Sequence, residues 1–374
     1  MTTKKKKILF VGSFKETSKA GGVGGQMFAC KTIVNSELSH FVDWTLIDTT
    51  ADSNVAVSKF NRIGKAFRRF VKFVYHILFT KYDHVLVFVA DGWSFWEKGL
   101  MCVLAKKITR SNVIIAPRSG FIINDINAKG KLYNFIKYVF REVDTVICQS
   151  KSWKNIFESI TDLNHSSKFT IIENVIDFDR YKDSTIRNRT SGDKVVILFM
   201  AWVSRDKGIY ELIDAIQKLK ETTSDFKVLV AGLGKDFDAI AVKIREMELT
   251  DQVELKGWVL GNEKLELLEQ TDIFVLPTYF DGYPNSLMEA MAAGKACIAT
   301  KVGSIPDMIE DNENGMLIEK QNTQQLFEKL ELLVRDSERR KKLGLKARNK
   351  IETVNAIPVG ISKYKKIFNI DNKN

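Results

Sequence analysis

The sequence predicts an α/β protein of two successive units, each a parallel sheet wrapped by helices. Three observations carry this. Short apolar runs of strand length alternate with longer amphipathic stretches through both halves of the chain. A polar stretch, residues 183–193, interrupts the alternation near the middle. The length, 374 residues, suits two domains rather than one.

Taken in order, the first strand is Ile8-Leu9-Phe10-Val11-Gly12. Val85-Leu86-Val87-Phe88-Val89, Val113-Ile114-Ile115-Ala116, Thr145-Val146-Ile147-Cys148 and Phe169-Thr170-Ile171-Ile172 follow as further strands. Nearly every residue in these runs is apolar. Both faces of each strand are therefore expected to meet a core, as in a parallel sheet covered on both sides. Helical patterns lie between them, such as residues 131–141. After the polar stretch the alternation restarts with residues 195–200, 228–231, 273–276 and 296–299. A second Rossmann-like domain is expected there. The expected domains are residues 1–187 and 188–354. Residues 337–350 read as a charged surface helix, and residues 361–370 carry an amphipathic pattern.

Composition is that of an ordinary globular protein, 45% hydrophobic and 28% charged. The net charge of +11 suits an anionic partner: nucleic acid, an anionic membrane or a phosphorylated substrate. Cys30, Cys102, Cys148 and Cys297 lie in or near apolar runs without ligand spacing, and are expected to be buried, reduced thiols. His40, His76, His84 and His165 are scattered, so no metal site is expected. The lysines at 4–7 precede an apolar run that Gly12, Ser13 and Lys15 cut short of a signal peptide. No run reaches the roughly 18 apolar residues of a spanning helix. A cytoplasmic protein is expected, free or lying on a membrane.

The most informative stretch is Asp281-Gly282-Tyr283-Pro284-Asn285-Ser286-Leu287-Met288-Glu289. It follows the apolar run Ile273-Phe274-Val275-Leu276-Pro277 and opens a helix. The amides around Ser286 and Leu287 sit at that helix N-terminus, where a phosphate can bind. Glu289, about one turn further in, can reach sugar hydroxyls. Asp281 lies ahead of the helix. A strand end, a helix N-terminus and two acids suggest a site for a nucleotide sugar.

At these residues the chain resembles the GT-B glycosyltransferases of the large retaining family 4, with their acid-x7-acid signature. The continuation, Thr300-Lys301-Val302-Gly303-Ser304-Ile305-Pro306-Asp307 and Asn314-Gly315-Met316-Leu317, is similar as well. That family usually carries Glu at the first acidic position, where this chain has Asp281. The resemblance implies two Rossmann-like domains facing across a cleft, with a tail helix (residues 355–374) crossing back to the first. It also implies a nucleoside diphosphate-sugar donor and transfer without a metal or other cofactor.

Further motifs fall into place beside it. Ala201-Trp202-Val203-Ser204-Arg205-Asp206-Lys207-Gly208 follows a strand, and cations on such a loop can neutralise a departing diphosphate. Lys207-Gly208 matches the family, whereas the usual Gly-Arg positions hold Ala201 and Trp202. Arg205 stands close enough in sequence to be a candidate replacement. The alternative for this loop is a solvated basic turn. Gly21, Gly22, Gly24 and Gly25 form a loop after the first strand. It is either a flexible turn or a ligand contact, and it resembles the family's glycine pair near the diphosphate; Gly24 and Gly25 are also acceptor candidates. Gly232, with Gly257-Trp258-Val259, resembles the loops that hold the base. Trp258 either stacks on that base or packs. Arg118 stands where the family often has His. It is expected to meet a phosphate or sugar hydroxyl, or else to form a surface salt bridge. Asp91 ends a first-domain strand and is a candidate for binding the acceptor. Asn174 and Asp177 resemble a family turn and read as structural.

No acid occurs between Lys59 and Lys81. At helical spacing Phe60, Ile63, Phe67, Phe70, Val71, Val74 and Leu78 share a face, and Arg62, Lys65, Arg68, Arg69 and Lys72 share the other. This fits an interfacial anchor on an anionic membrane, or a core-packed helix with a solvated basic face.

The expected activity is retaining transfer of a hexosyl group to a saccharide, probed at the sites above: Asp281, Lys207, Arg205 and Arg118 for catalysis, and Glu289 for the ribose. The acceptor is expected to be a polyprenyl diphosphate-linked saccharide, in capsule, O-antigen or exopolysaccharide synthesis at the inner face of the cytoplasmic membrane. Two rivals remain at this stage. A GT-B epimerase would consume the donor without an acceptor. A nucleic-acid-binding module would use the charge, although no binding motif accompanies it.

Overall fold

A computed structural model describes residues 5–15, 25–50, 59–164, 166–182 and 193–370. The chain divides into two compact units, residues 1–175 with 357–374, and residues 176–356. The boundary thus falls before the polar stretch, not at 187/188. Ile176 N donates to Asn355 O at 2.9 Å, and Phe178 and Tyr181 are buried in the core of the second unit. Most of the polar stretch, residues 183–192, lies outside the described residues.

The first unit runs β1 (Lys6–Gly12), α1 (Gly25–Val34), β2 (Val42–Asp48), α2 (Lys59–Phe79), β3 (His84–Val89) and α3 (Gly92–Ile108). It continues with β4 (Asn112–Pro117), α4 (Ile122–Asn127), α5 (Lys131–Glu142), β5 (Thr145–Cys148), α6 (Lys151–Thr161) and β6 (Phe169–Ile171). Its sheet is parallel, in the order β2-β1-β3-β4-β5-β6. Every residue of β3 is buried, as the unbroken apolar run requires. Leu9, Val11, Val85 and Val87 face one core layer, and Ile8, Phe10, Leu86 and Phe88 the other.

The second unit contains β7 (Val195–Met200), α7 (Ile209–Thr222), β8 (Phe226–Ala231), α8 (Phe237–Glu246), β9 (Val253–Gly257), α9 (Gly261–Gln270) and β10 (Ile273–Leu276). Then come α10 (Asn285–Ala292), β11 (Ala296–Thr300), α11 (Ile305–Met308), β12 (Met316–Ile318), α12 (Thr323–Arg335) and α13 (Ser337–Asn355). The strand order is β12-β11-β10-β7-β8-β9, all parallel. Counted from β7, this is the Rossmann order 6-5-4-1-2-3. A last helix, α14 (Ile357–Ile367), belongs to the first unit. There Ile361, Tyr364 and Phe368 are buried in the layer behind Phe10 and Phe88.

α2 departs from its expected packing. The side chains that anchor it are Phe73 and Ile77, with Phe70 partly buried beside them. Much of the expected apolar face is open instead: Phe67 is 67% exposed, and Ile63, Val71 and Leu78 are also exposed, with Tyr75 and Phe79 beside them. The helix therefore has three sectors, one in the core, one apolar and open, and one basic. Arg69 leaves the basic sector to make two bonds of 3.0 and 2.9 Å to Glu97 of α3. Among the described residues no helix is long and apolar enough to cross a membrane. All four cysteines are buried and free of disulfides, and burial pushes the Cys30 thiol up to about 12.

Candidate functional site

In an open parallel sheet the connections from two adjacent strands can leave in opposite directions, which opens a crevice at their carboxyl ends. In the second unit those strands are β7 and β10. The loops leaving them carry the residues singled out in sequence. Lys207 Nζ, from the β7 loop, lies 2.7 Å from Asp281 Oδ2, from the β10 loop, and 3.3 Å from Phe280 O. The loops meet backbone to backbone. Gly208 has φ +75°, and a Cβ there would lie 2.0 Å from Pro277 O. Gly303 has φ +57°, and a Cβ there would lie 1.8 Å from Asp281 O. A side chain at either position would force apart the loops that hold the ion pair.

α10 starts directly after the β10 loop. Pro284 at its cap has no side chain to offer the first-turn amides. Leu287 is fully buried and Ser286 is half-buried. Glu289 Oε1 accepts a 2.6 Å bond from Lys264 Nζ of α9. Both acids of the motif are thus paired with a lysine. Sequence reading missed Lys264. It also missed Tyr181, whose hydroxyl burial pushes upward in pKa, with the negative Glu289 adding to the effect.

On the β8 and β9 side of the sheet, Gly232 N donates to Gly257 O at 2.6 Å, which ties the two loops together. Trp258 follows, with its ring 4.9 Å from that of Trp202 and tilted by 45°. Trp202 therefore pairs with an aromatic ring at the position expected to hold an arginine. Val259 is buried. Arg205 lays its guanidinium over the Tyr210 ring of α7 at 4.1 Å, and its backbone N donates to Asp236 Oδ2 at 2.7 Å.

In the first unit, Gly21, Gly22 and Gly24 lie outside the described residues, and Gly25 opens α1. Arg118 is neither an open ligand arm nor half of a surface salt bridge. Its guanidinium donates to Asn174 Oδ1 at 3.0 Å and to Tyr364 OH at 2.8 Å, and lies 4.1 Å over the Phe88 ring. It braces the end of β4 against the turn after β6 and against α14. Asp91 ends the β3 segment and accepts a hydrogen bond from Ser119 Oγ. Among the described residues no group of three or more His, Cys, Asp or Glu is arranged to hold a metal ion.

The two parallel sheets, one with the Rossmann strand order, match the GT-B fold of solved glycosyltransferases. Residues 182–350 match the family model for Glycosyl transferases group 1. It is 29% identical over 256 residues to an uncharacterized glycosyltransferase of Methanocaldococcus jannaschii, covering 68% of each chain. It is 24% identical over 270 residues to the capsular polysaccharide biosynthesis glycosyltransferase CapM of Staphylococcus aureus, covering 68% of this chain and 70% of that one. It is 24% identical over 251 residues, 66% of each chain, to a Campylobacter jejuni enzyme. That enzyme is named N-acetylgalactosamine-N,N'-diacetylbacillosaminyl-diphospho-undecaprenol 4-alpha-N-acetylgalactosaminyltransferase. Among solved structures, sucrose-phosphate synthase from Thermosynechococcus elongatus superposes with a TM-score of 0.78 at 14% identity, over 98% of both chains. Anabaena Alr3699/HepE in complex with UDP-glucose superposes at 0.72 and 15% identity, over 97% of this chain and 99% of that one.

Proposed function

We propose that this glycosyltransferase moves a hexosyl group from a nucleoside diphosphate-sugar to a polyprenyl diphosphate-linked saccharide. Transfer proceeds with retention, at the inner face of the cytoplasmic membrane, in assembly of a capsule, O-antigen or exopolysaccharide. The observation that carries this reading is the Lys207–Asp281 pair at the crevice of the second sheet, with Glu289 on the helix that follows.

In this reading the ribose hydroxyls donate to Glu289, and the diphosphate lies against the first-turn amides near Ser286 and Leu287. Asp281 holds the Lys207 ammonium in place. As the bond from the anomeric carbon breaks, its electron pair leaves on the diphosphate, and the charge of Lys207 offsets it. A fixed cation that meets charge only as it develops favours the transition state over bound substrate. No resident metal is invoked. The names of the Staphylococcus and Campylobacter relatives support a carrier-linked envelope saccharide, and the Anabaena complex supports a uridine donor. The open apolar sector of α2, beside Lys65, Arg68 and Lys72, supports a position on an anionic membrane.

The test is incubation with UDP-, GDP- and ADP-sugars, with and without a polyprenyl diphosphate-linked disaccharide. Transfer is expected with one donor class, only when acceptor is present, and with the donor's anomeric configuration kept in the product. Conversion of the donor to an isomer without acceptor would instead identify an epimerase.

A further inference from the structure

The first sheet reverses its strand order between β1 and β3, so the carboxyl ends of those strands flank its crevice. β3 runs out into Ala90, Asp91, Gly92 and Trp93. Asp91 stands at the cap position of α3, yet its side chain caps nothing. The stabilisation that a capping acid gives a helix is forgone. Oδ1 accepts instead from Ser119 Oγ at 2.5 Å, on the turn leaving the adjacent strand β4. Asp125 Oδ2 accepts from Gly92 N at 2.9 Å and fixes the same junction. On this braced corner Trp93 is 87% exposed and Phe121 49% exposed. Trp93 has no hydrogen-bond or ring partner among the described residues.

We infer that Asp91, Trp93, Ser119 and Phe121 form a subsite for an uncharged pyranoside, the terminal sugar of the acceptor. The inference rests on the glycosyltransferase reading above. The C–H face of a pyranose packs on an indole, while its hydroxyls donate to the second oxygen of Asp91. The carboxylates also select against negative charge. Asp91 and Asp125 repel a uronate or a phosphate. Arg118, one residue before Ser119, has its terminal nitrogens on Asn174 and Tyr364. The same two acids argue against an anionic bilayer as the partner of Trp93.

Saturation-transfer NMR on the full chain reads the subsite. The probes are the methyl glycosides of glucose, galactose and N-acetylglucosamine, and methyl glucuronide. At least one neutral glycoside is expected to receive saturation from wild type, and the glucuronide several-fold less. Trp93→Ala is expected to lose the signal at least fivefold, with partial recovery in Trp93→Phe. Asp91→Asn is expected to narrow the gap between the glucuronide and the neutral sugars. No glycoside binding to wild type, an undiminished signal from Trp93→Ala, or a preferred glucuronide would each overturn the inference. So would Trp93→Ala losing vesicle binding while its glycoside signals stay unchanged, because Trp93 would then belong to a membrane contact. The glycosyltransferase reading fails on a different measurement, absence of UDP and nucleotide-sugar binding to wild type.

Discussion

Lys264 and Glu289 are 25 residues apart in sequence, yet their side chains meet at 2.6 Å and join α9 to α10. Both are largely but not wholly shielded, at 23% and 17% side-chain exposure. The pair is therefore worth more than an open surface bridge and less than a buried one. Its effect is to hold one carboxylate oxygen, which leaves the other to meet a ligand.

If that ligand is a ribose, Glu289→Gln weakens UDP binding by about tenfold, the lower end for a charge-assisted bond. Lys264→Met is expected to weaken it to a similar degree by letting the carboxylate swing. Isothermal titration with UDP and with its 2′,3′-dideoxy analogue separates this from general damage. Equal losses for both ligands would remove Glu289 from the ribose.

Lys207→Ala is expected to lower turnover by roughly a hundredfold or more, the size seen when one group stabilising a developing charge is removed. UDP affinity falls less, since the charge matters most as the diphosphate departs. Arg205→Ala is expected to cost under about tenfold, as its guanidinium rests on Tyr210. Steady-state kinetics beside UDP titration decides both. Normal turnover in Lys207→Ala would sink the assignment.

On the membrane, Arg68→Glu with Lys72→Glu is expected to release the protein from anionic vesicles in flotation, at about 1 kcal/mol for each basic residue removed. High salt should do the same to wild type. Ile63→Ser with Phe67→Ser tests the open apolar sector separately. Arg69 is unsuited to charge reversal, because an acid there would face Glu97. Equal flotation with neutral and anionic vesicles would make α2 a core helix with a solvated basic face.

His84 supplies a pH dependence. It is buried at the start of β3, its Nε2 lies 3.1 Å from Phe368 O, and its Nδ1 has no partner among the described residues. Burial holds its pKa below the ordinary value, Lys6 adds to this, and Phe368 O and Asp83 oppose it. The unfolded chain then binds the proton first. Stability is complete above about pH 6.5 and is lost as pH falls towards the depressed folded value. Urea unfolding of wild type and His84→Asn between pH 7.5 and 5 checks this. The variant is expected to show the shallower acid decline, and parallel curves would clear His84 of the effect.

Much of this fold was legible because central parallel strands are unbroken apolar runs, as in β3 and β7. The strands that escaped notice, β2, β9 and β12, all sit at sheet edges. An edge strand is half wet, so Asp43, Glu254 and Lys256 interrupt the apolar signal. β12 is three residues long and too short to show a period.

The site divides in the same way. Asp281, Glu289 and Lys207 stood out through local spacing, and they meet or flank one crevice. Lys264 did not, because Glu263, Glu266 and Glu269 around it make α9 look like any solvated helix. Its partner is set by tertiary packing. On α2 the helix itself was clear. Periodicity alone could not separate the apolar side chains that enter the core, Phe73 and Ile77, from those left open, Ile63 and Phe67.

The return of α14 has a consequence for the order of synthesis. The first unit's residues up to Val175 leave the ribosome early, but Tyr364 and Phe368, which cover Phe10, Phe88 and His84, are made after the whole second unit. At roughly 5–20 residues per second the nascent sheet spends on the order of ten seconds or more with that apolar layer uncovered. The second unit, complete at Ala356 and continuous in sequence, can finish first. Such a chain would engage a holdase chaperone through the layer behind Phe10. Ribosome-bound intermediates arrested before Ile357 would remain protease-sensitive in the first unit while the second is already resistant.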